Sequence, residues 1–169
     1  MIAFQPKDFR VTRSALIAAP PATPAGTPQP YTIERDAVAD GQRALRLVRS
    51  RAAEWAINSA AVGMLGFSAG GEVVAFTAMR AAAGDPAAAD PIDRQSARPD
   101  FQALIYPGRT ARIAPTKENP PTFLAASAND REDISEGLAS VYLLYKKAKV
   151  PVELHLYSCG GHGFGVRPG

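Results

Sequence analysis

The sequence is poor in the residues that bind metal ions or cross-link a chain. Its 169 residues include one cysteine, Cys159, and two histidines, His155 and His162. A lone cysteine cannot form an internal disulfide or a thiolate cluster for zinc. We therefore expect neither a disulfide framework nor a metal site, and we interpret Cys159 as a small apolar residue rather than a reactive thiol.

Long apolar runs are also missing. None approaches the roughly 20 residues that a helix needs to cross a bilayer. The first residues, MIAFQPKDFR, show no charged segment followed by a long apolar one, so no export signal is visible in them. These observations favour a soluble protein without a membrane partner and leave its compartment open.

Positive charge is too dispersed to indicate nucleic-acid binding. Lysine and arginine together number 19, against 16 aspartates and glutamates, for a net charge of +3. The densest basic cluster, Arg43, Arg46, Arg49 and Arg51, lies along one predicted helix. We interpret this cluster as a solvated helix face and expect no nucleic-acid partner.

Length and composition fit one globular domain over residues 1–169. Hydrophobic residues make up 46% of the chain and charged residues 21%, which excludes a disordered or fibrous chain. Residues 1–33 form a divergent N-terminal segment with one candidate strand within residues 9–19. Its loop at residues 20–30 contains five prolines, which exclude helix and interior strand.

Helical and strand patterns alternate after this segment. The predicted helices cover residues 34–55, 69–83 and 133–149. Apolar residues recur in them at three- and four-residue steps, and Trp55 falls on the apolar side of the first helix. The predicted strands cover residues 60–67, 101–106, 122–127 and 152–158. The alternation indicates an α/β fold with a mostly parallel sheet of about five strands, counting the N-terminal one, and helices on both faces.

The segment Gly66-Phe67-Ser68-Ala69-Gly70 matches G-x-S-x-G between a predicted strand and a predicted helix. Small residues at its two ends allow a sharp turn that lifts the Ser68 hydroxyl off the sheet, near the amides that begin the helix. This context favours a nucleophilic serine. The alternative is a glycine-rich turn with a capping serine, as in a phosphate-binding loop, but no G-K-[ST] or G-x-G-x-x-G pattern accompanies it.

A nucleophilic serine needs a base and an acid that orients the base. His162 follows the last strand in a glycine-rich loop that can hold an imidazole over the serine, and an exposed loop histidine is the alternative. His155 lies within the strand, which favours a partly buried or cross-strand role. The acid is expected between serine and histidine in the chain, at the carboxyl edge of the sheet. Asp130 fits best, while Glu132 and Asp133 are competitors that the start of the next helix also explains.

These motifs, in this order, resemble the α/β-hydrolases, in particular the small acetyl xylan esterase-like and dienelactone hydrolase-like esterases. The similar segments are ALRLVRSRAAEW, GFSAGG, DPIDRQSARPDFQALIYPG, PPTFLAASAND and VPVELHLYSCGGHGFG, and they span about residues 34–166. The resemblance implies Ser68 as nucleophile, Asp130 as acid, His162 as base and the Ala69 amide as an oxyanion donor. It also implies that no metal or organic cofactor takes part.

The N-terminal part is short compared with that family. Relatives carry further strands and a glycine-rich oxyanion loop, whereas residues 1–33 offer one strand and a lone Gly26 in the proline-rich loop. We therefore expect a truncated α/β-hydrolase fold without the second oxyanion donor, whose removal costs about 100-fold to 1000-fold in turnover. A missing strand also leaves a bare sheet edge. We expect a homodimer or higher homo-oligomer, or direct pairing of the N-terminal segment with residues 60–67.

Three further side chains near the motif each have two interpretations. Phe67 and Phe164 flank the expected nucleophile and base, and they either form the wall of an acyl pocket or belong to the core. Glu72 either supports the nucleophile turn or complements the dipole of the helix.

The sequence thus predicts a serine carboxylesterase that hydrolyses small esters with short, acetyl-type acyl groups through an acyl-enzyme. The loop at residues 93–100 is too short for a lid over long chains, which favours small substrates. The alternative is a hydrolase-fold binding module, or a partial domain with little turnover, because half of the oxyanion hole is missing.

Overall fold

A computed structural model of the chain describes residues 31–165. All described elements belong to one unit, Tyr31–Gly169. The strands are β1 Met64–Phe67, β2 Gln102–Ile105, β3 Thr122–Ser127 and β4 Val152–Tyr157. The helices are α1 Val38–Ser50, which continues a π-helical turn at Ile33–Ala37, α2 Ala69–Met79, a short 3-10 helix at Thr110–Arg112, and α3 Glu132–Lys147.

The four described strands form one parallel sheet in the order β1-β2-β3-β4. The predicted α/β fold with a parallel sheet is confirmed. Because each strand is added on the same side of the previous one, right-handed crossovers place α2 and α3 on the same face of the sheet. The candidate strand within residues 9–19 lies outside the described residues, and the single-domain organisation over residues 1–169 stays a prediction.

The core lies between this face of the sheet and the crossover helices. Leu104 on β2 and Leu124 on β3 are neighbours in register and are fully buried. From α3, Leu138, Val141 and Tyr145 are buried against them, as the helical spacing predicts. Burying an aliphatic side chain of this size stabilises the fold by about 1.5–3 kcal/mol.

The first helix is shorter than predicted. It ends at Ser50, and Trp55, expected on its apolar side, is 45% exposed. The backbone leaves helical geometry at Arg51 and takes a left-handed conformation at Ala56, where φ is 52°. Ala52, three positions before Trp55, is buried instead.

Two arginines of the predicted basic cluster, Arg46 and Arg49, are paired and largely buried, so the interpretation as a solvated face is wrong for these two. Arg43 and Arg51 are about half exposed, as that interpretation expects. Arg43 contacts Asp90 and Asp93, and Arg46 also contacts Asp93. The Arg49 side chain is only 8% exposed and lies 2.9 Å from Asp100. These pairs join α1 to the segment between α2 and β2. The described part of the chain contains no helix with the length and apolarity that crossing a membrane requires.

Candidate active site

Ser68 stands in a strained turn between β1 and α2. Its φ of 52° and ψ of −121° lie outside the regions that residues other than glycine favour. The turn is tight, because a Cβ on Gly66 would lie 2.2 Å from the carbonyl oxygen of Gly70. The Ser68 amide donates to the Ile105 carbonyl at 2.9 Å, which joins the turn to β2. Ala69 begins α2, where backbone amides have no partner within the helix.

The structure brings Ser68, His162 and Asp130 into a continuous chain of hydrogen bonds. The Ser68 hydroxyl oxygen lies 2.8 Å from His162 Nε2, and His162 Nδ1 lies 2.9 Å from Asp130 Oδ2. The Ser68 side chain makes no capping hydrogen bond to α2. The alternative interpretation of Ser68 as a capping serine is therefore wrong.

The carboxyl group of Asp130 is enclosed, although the imidazole beside it is partly open. The Asp130 side chain is 0% exposed and that of His162 is 37% exposed. The other carboxylate oxygen of Asp130, Oδ1, accepts a hydrogen bond from the Arg131 amide at 2.7 Å. A buried carboxylate with both oxygens engaged holds one orientation, which suits it to fix the tautomer of an imidazole.

The two competing acids are engaged elsewhere. Arg131 donates two hydrogen bonds to the Asp133 carboxylate, at 2.9 and 3.0 Å, and this pairing lowers the pKa of Asp133. Glu132 is the first residue of α3 and is exposed. Of the three candidates, Asp130 is the one whose carboxylate contacts His162.

His155 has a cross-strand role, as its position in a strand predicts. Its ring stacks on that of Phe123 on β3, with centroids 5.1 Å apart. Its Nε2 lies 2.5 Å from Glu153 Oε1 on the same strand. His155 is thus engaged with Phe123 and Glu153 rather than with Ser68.

Glu72 lies one helical turn after Ser68 and is part of an ion cluster. It is 8% exposed, and burial raises the pKa of its carboxyl group above the ordinary 4.5, against the lowering effect of Arg109. Arg109 Nε lies 3.4 Å from Glu72 Oε2. Arg109 and Arg112 both pair with Glu34. Glu72 therefore connects the nucleophile turn to the turn after β2, which complementing a helix dipole alone would not require.

The two phenylalanines differ in how much solvent they meet. Phe67 is 49% exposed beside Ser68, whereas Phe164 is partly buried and packs against the core. A shallow depression beside the His162 loop is lined by Tyr157, Ser158, Cys159 and Phe164. Cys159 is exposed and unpaired, so it does not contribute to the core.

Tyr106 contacts the site and was not identified from the sequence. It follows β2, is 6% exposed and has a φ of 37°. A left-handed conformation at an aromatic residue before a proline costs on the order of 1–3 kcal/mol. Its ring lies edge-on to the His162 imidazole, with centroids 4.9 Å apart. The only signal in the sequence is its place at the carboxyl end of a predicted strand, before Pro107 and Gly108.

Asn129 also contacts the His162 loop and was not identified. Its Oδ1 accepts hydrogen bonds from the Gly161 amide at 2.9 Å and from the Ser127 hydroxyl at 2.6 Å. The position next to Asp130 was the available signal, but a bond to a distant backbone amide leaves no pattern in a single sequence. Within residues 31–165, no group of three or more His, Cys, Asp or Glu side chains is arranged to hold a metal ion.

Comparison with known proteins identifies the family. A profile of the alpha/beta hydrolase fold matches residues 34–143. Among solved structures, an acetyl ester-xyloside bifunctional hydrolase from Caldicellulosiruptor lactoaceticus is similar, with 29% identity and a TM-score of 0.71 over 76% of this chain and 57% of that one. A carboxylesterase, described as putative, from Lactobacillus plantarum shares 27% identity, with a TM-score of 0.58 over 74% of this chain and 57% of that one.

A third structure, a thermophilic esterase from the Planctomycetes species Thermogutta terrifontis, shares the fold at 23% identity. Its TM-score is 0.65 over 79% of this chain and 57% of that one. A search of the curated proteins gave no match. The chain thus spans a little over half the length of these three solved proteins. The family profile covers well over half of the chain, and the parallel sheet with its strained serine turn agrees with it: this chain belongs to the alpha/beta hydrolase fold family.

Proposed function

We propose that this chain is a carboxylic ester hydrolase in which Ser68, His162 and Asp130 act as a catalytic triad on short acyl esters. The observation that carries the proposal is the pair of hydrogen bonds at His162, 2.8 Å to Ser68 Oγ and 2.9 Å to Asp130 Oδ2. The esterases among similar structures support the same reaction class.

The first half of the reaction forms an acyl-enzyme. His162 Nε2 takes the proton from the Ser68 hydroxyl as Oγ attacks the acyl carbon, and Asp130 stabilises the imidazolium through Nδ1. The Ala69 amide donates to the oxyanion of the tetrahedral intermediate. The intermediate then collapses, and the alcohol leaves with the proton that His162 returns.

The second half releases the acid. A water molecule gives its proton to His162 Nε2 and attacks the acyl carbon on Ser68 Oγ. The second tetrahedral intermediate breaks the bond to Oγ, which recovers its proton from His162. No atom changes its oxidation state, and water is the only co-reactant.

Short acyl groups suit the surroundings of Ser68. Phe67, half-exposed and adjacent to Ser68 in the chain, and the partly buried Phe164, two residues after His162, would offer apolar contact to a short acyl group. The neighbouring depression is shallow, so it leaves little enclosed surface for a long chain. We therefore propose acetyl-type esters as the preferred substrates.

The test uses 4-nitrophenyl acetate, butyrate and octanoate with the wild-type chain and four variants. The wild-type chain is expected to hydrolyse the acetate ester fastest, and Ser68→Ala and His162→Gln to fall to the background rate. Ser140→Ala and His155→Gln are the matched controls, because Ser140 lies on the exposed side of α3 and His155 contacts Glu153 and Phe123. Equal rates for the wild type and Ser68→Ala would refute the proposal.

A second candidate is a hydrolase-fold module that binds esters, or a partial domain that turns them over poorly. The observation that favours it is the length of the chain, which covers 57% of the length of each of two similar solved structures. Loss of one oxyanion donor lowers turnover by about 100-fold to 1000-fold. Mass spectrometry distinguishes the candidates: stoichiometric acetylation of Ser68 without further product favours the partial domain, and neither acylation nor turnover favours the binding module.

We also propose that the chain self-associates through β1, with a second copy as the partner. Within the described sheet, β1 pairs with β2 on one side only. Leu65 on this strand is 60% exposed. An edge strand with free backbone groups and apolar side chains is a template for pairing with another strand.

A further inference from the structure

The loop that carries His162 has little intrinsic rigidity. Four glycines between residues 160 and 165 have positive φ angles, among them Gly161 at 62° on one side of His162 and Gly163 at 79° on the other. Glycine has the largest backbone freedom to lose, so such a loop does not hold one conformation by itself. A base must nevertheless stay within hydrogen-bond reach of the nucleophile for proton transfer. Groups outside the loop must therefore fix the imidazole.

One support contacts the loop just before His162. Asn129 Oδ1 accepts the Gly161 amide at 2.9 Å. The same oxygen accepts the hydroxyl of Ser127, a fully buried residue at the end of β3, at 2.6 Å. The loop is thus joined to a rigid strand end through one side-chain oxygen.

The other support contacts the loop just after His162. The Tyr106 hydroxyl donates to the Phe164 carbonyl at 2.9 Å. The Tyr106 ring is buried against the Phe164 ring, with centroids 5.0 Å apart. The Tyr106 amide donates to the Ala125 carbonyl at 2.7 Å, so this support also stands on the sheet.

We propose that Tyr106 and Asn129 are positioning residues that fix the His162 imidazole by holding its loop from both sides. Both polar groups bond to loop backbone, and neither is in hydrogen-bond contact with Ser68 Oγ. The inference rests on the proposed function, because it concerns the base of the proposed triad. The alignment of that base thus depends on two residues that follow β2 and β3.

The kinetic test uses Tyr106→Phe, Asn129→Ala and Asn129→Asp in the full chain. Tyr106→Phe removes one hydroxyl and keeps the ring. We expect Tyr106→Phe and Asn129→Ala each to lower kcat about 10-fold to 100-fold while KM changes little, because misplacement of a base affects the chemical step. Asn129→Asp keeps the acceptor oxygen and is expected to recover most of kcat. Tyr142→Phe, on α3, is the control for loss of a tyrosine hydroxyl.

A spectroscopic readout does not depend on turnover. The chain has two histidines, so an NMR spectrum of 15N-histidine-labelled protein in the His155→Gln background reports on His162 alone. We expect a hydrogen-bonded Nδ1–H signal, and its broadening or loss in Tyr106→Phe and Asn129→Ala while the melting temperature stays close to that of the parent.

The outcomes separate this inference from the proposed function. If Ser68→Ala leaves esterase activity unchanged, the proposed function fails, and altered His162 signals in the two variants would still support the positioning role. If Ser68→Ala abolishes activity while Tyr106→Phe and Asn129→Ala keep wild-type kcat and an unchanged His162 signal, the positioning role is overturned. A KM effect alone, or no recovery in Asn129→Asp, would also contradict it.

Discussion

Ser68 Oγ lies 2.8 Å from His162 Nε2 although 94 positions separate the two residues. This contact depends on the parallel sheet, because the carboxyl ends of its strands lie at one edge, where the nucleophile turn and the histidine loop meet. Local sequence shapes the serine turn and the histidine loop, but the sheet brings the two together.

Replacement of Asp130 should impair catalysis far more than replacement of its neighbour Asp133. Asp130→Asn removes the carboxylate that faces His162 Nδ1 and favours the wrong imidazole tautomer, so we expect kcat to fall by about 10,000-fold. Asp133→Asn, the matched control, removes a surface pair with Arg131 and should leave kcat within about twofold. Steady-state kinetics with an acetate ester measure both, and similar losses in the two variants would count against Asp130 as the acid.

The two glycines of the serine motif should respond differently to alanine. A Cβ at Gly66 would meet the Gly70 carbonyl at 2.2 Å, whereas a Cβ at Gly70 has no atom within 4 Å. Gly66→Ala must displace the turn, and we expect a loss of stability of about 1–3 kcal/mol, as for other overpacked sites. Gly70→Ala should keep or slightly raise stability, because alanine favours helix. Urea denaturation measures the free energy of unfolding of both variants, and equal stability would disprove the steric argument.

The buried Glu72 carboxyl should make stability depend on pH. Its pKa is raised by burial above 4.5 in the folded chain, so above that pH the folded state binds more protons than the unfolded state until the group ionises. The free energy of unfolding therefore decreases as pH rises through this range. Glu72→Gln lacks the titration, and its melting temperature relative to wild type should increase from pH 4 to pH 7.

A replacement at an exposed carboxylate, Glu54→Gln, controls for general charge effects. A Glu72→Gln difference that is constant or decreases over the same pH range would contradict the predicted direction.

A charge on the β1 edge should weaken self-association. Leu65→Lys places an ammonium group on the exposed edge strand, a common means by which proteins prevent edge pairing. We expect light scattering at micromolar concentration to report a dimer or larger species for the wild type and a monomer for Leu65→Lys. Leu143→Lys, on the exposed side of α3, is the matched control. A wild-type monomer would refute the proposed association.

Sequence patterns predicted the elements around the site because local signals determine them. The apolar run before Ser68 and the small residues around it indicate a strand, a tight turn and a helix, and the structure has this arrangement at Met64–Phe67 and Ala69–Met79. The end of the first helix was missed, because Trp55 continues the helical spacing although the backbone already leaves helical geometry at Arg51. Periodicity does not register such a turn.

The two residues that support the histidine loop could not be predicted from the sequence, for a different reason. Asn129 and Tyr106 act through bonds to backbone groups of Gly161 and Phe164, and any residue at those loop positions offers the same amide or carbonyl. The pairing therefore leaves no residue-type signature at the partner. Only the fold reveals which strand ends meet.

The order of the sheet has a consequence for inactivation by heat. Within the described sheet, β4 is the outermost strand on one side, and His162 follows it. A strand that pairs on one side opens more readily than an inner one, and a shift of one residue moves a strand by about 3.3 Å. Detachment of β4 would remove the base while α1, α2 and their buried contacts persist. Esterase activity should therefore vanish at a lower temperature than the far-ultraviolet helical signal.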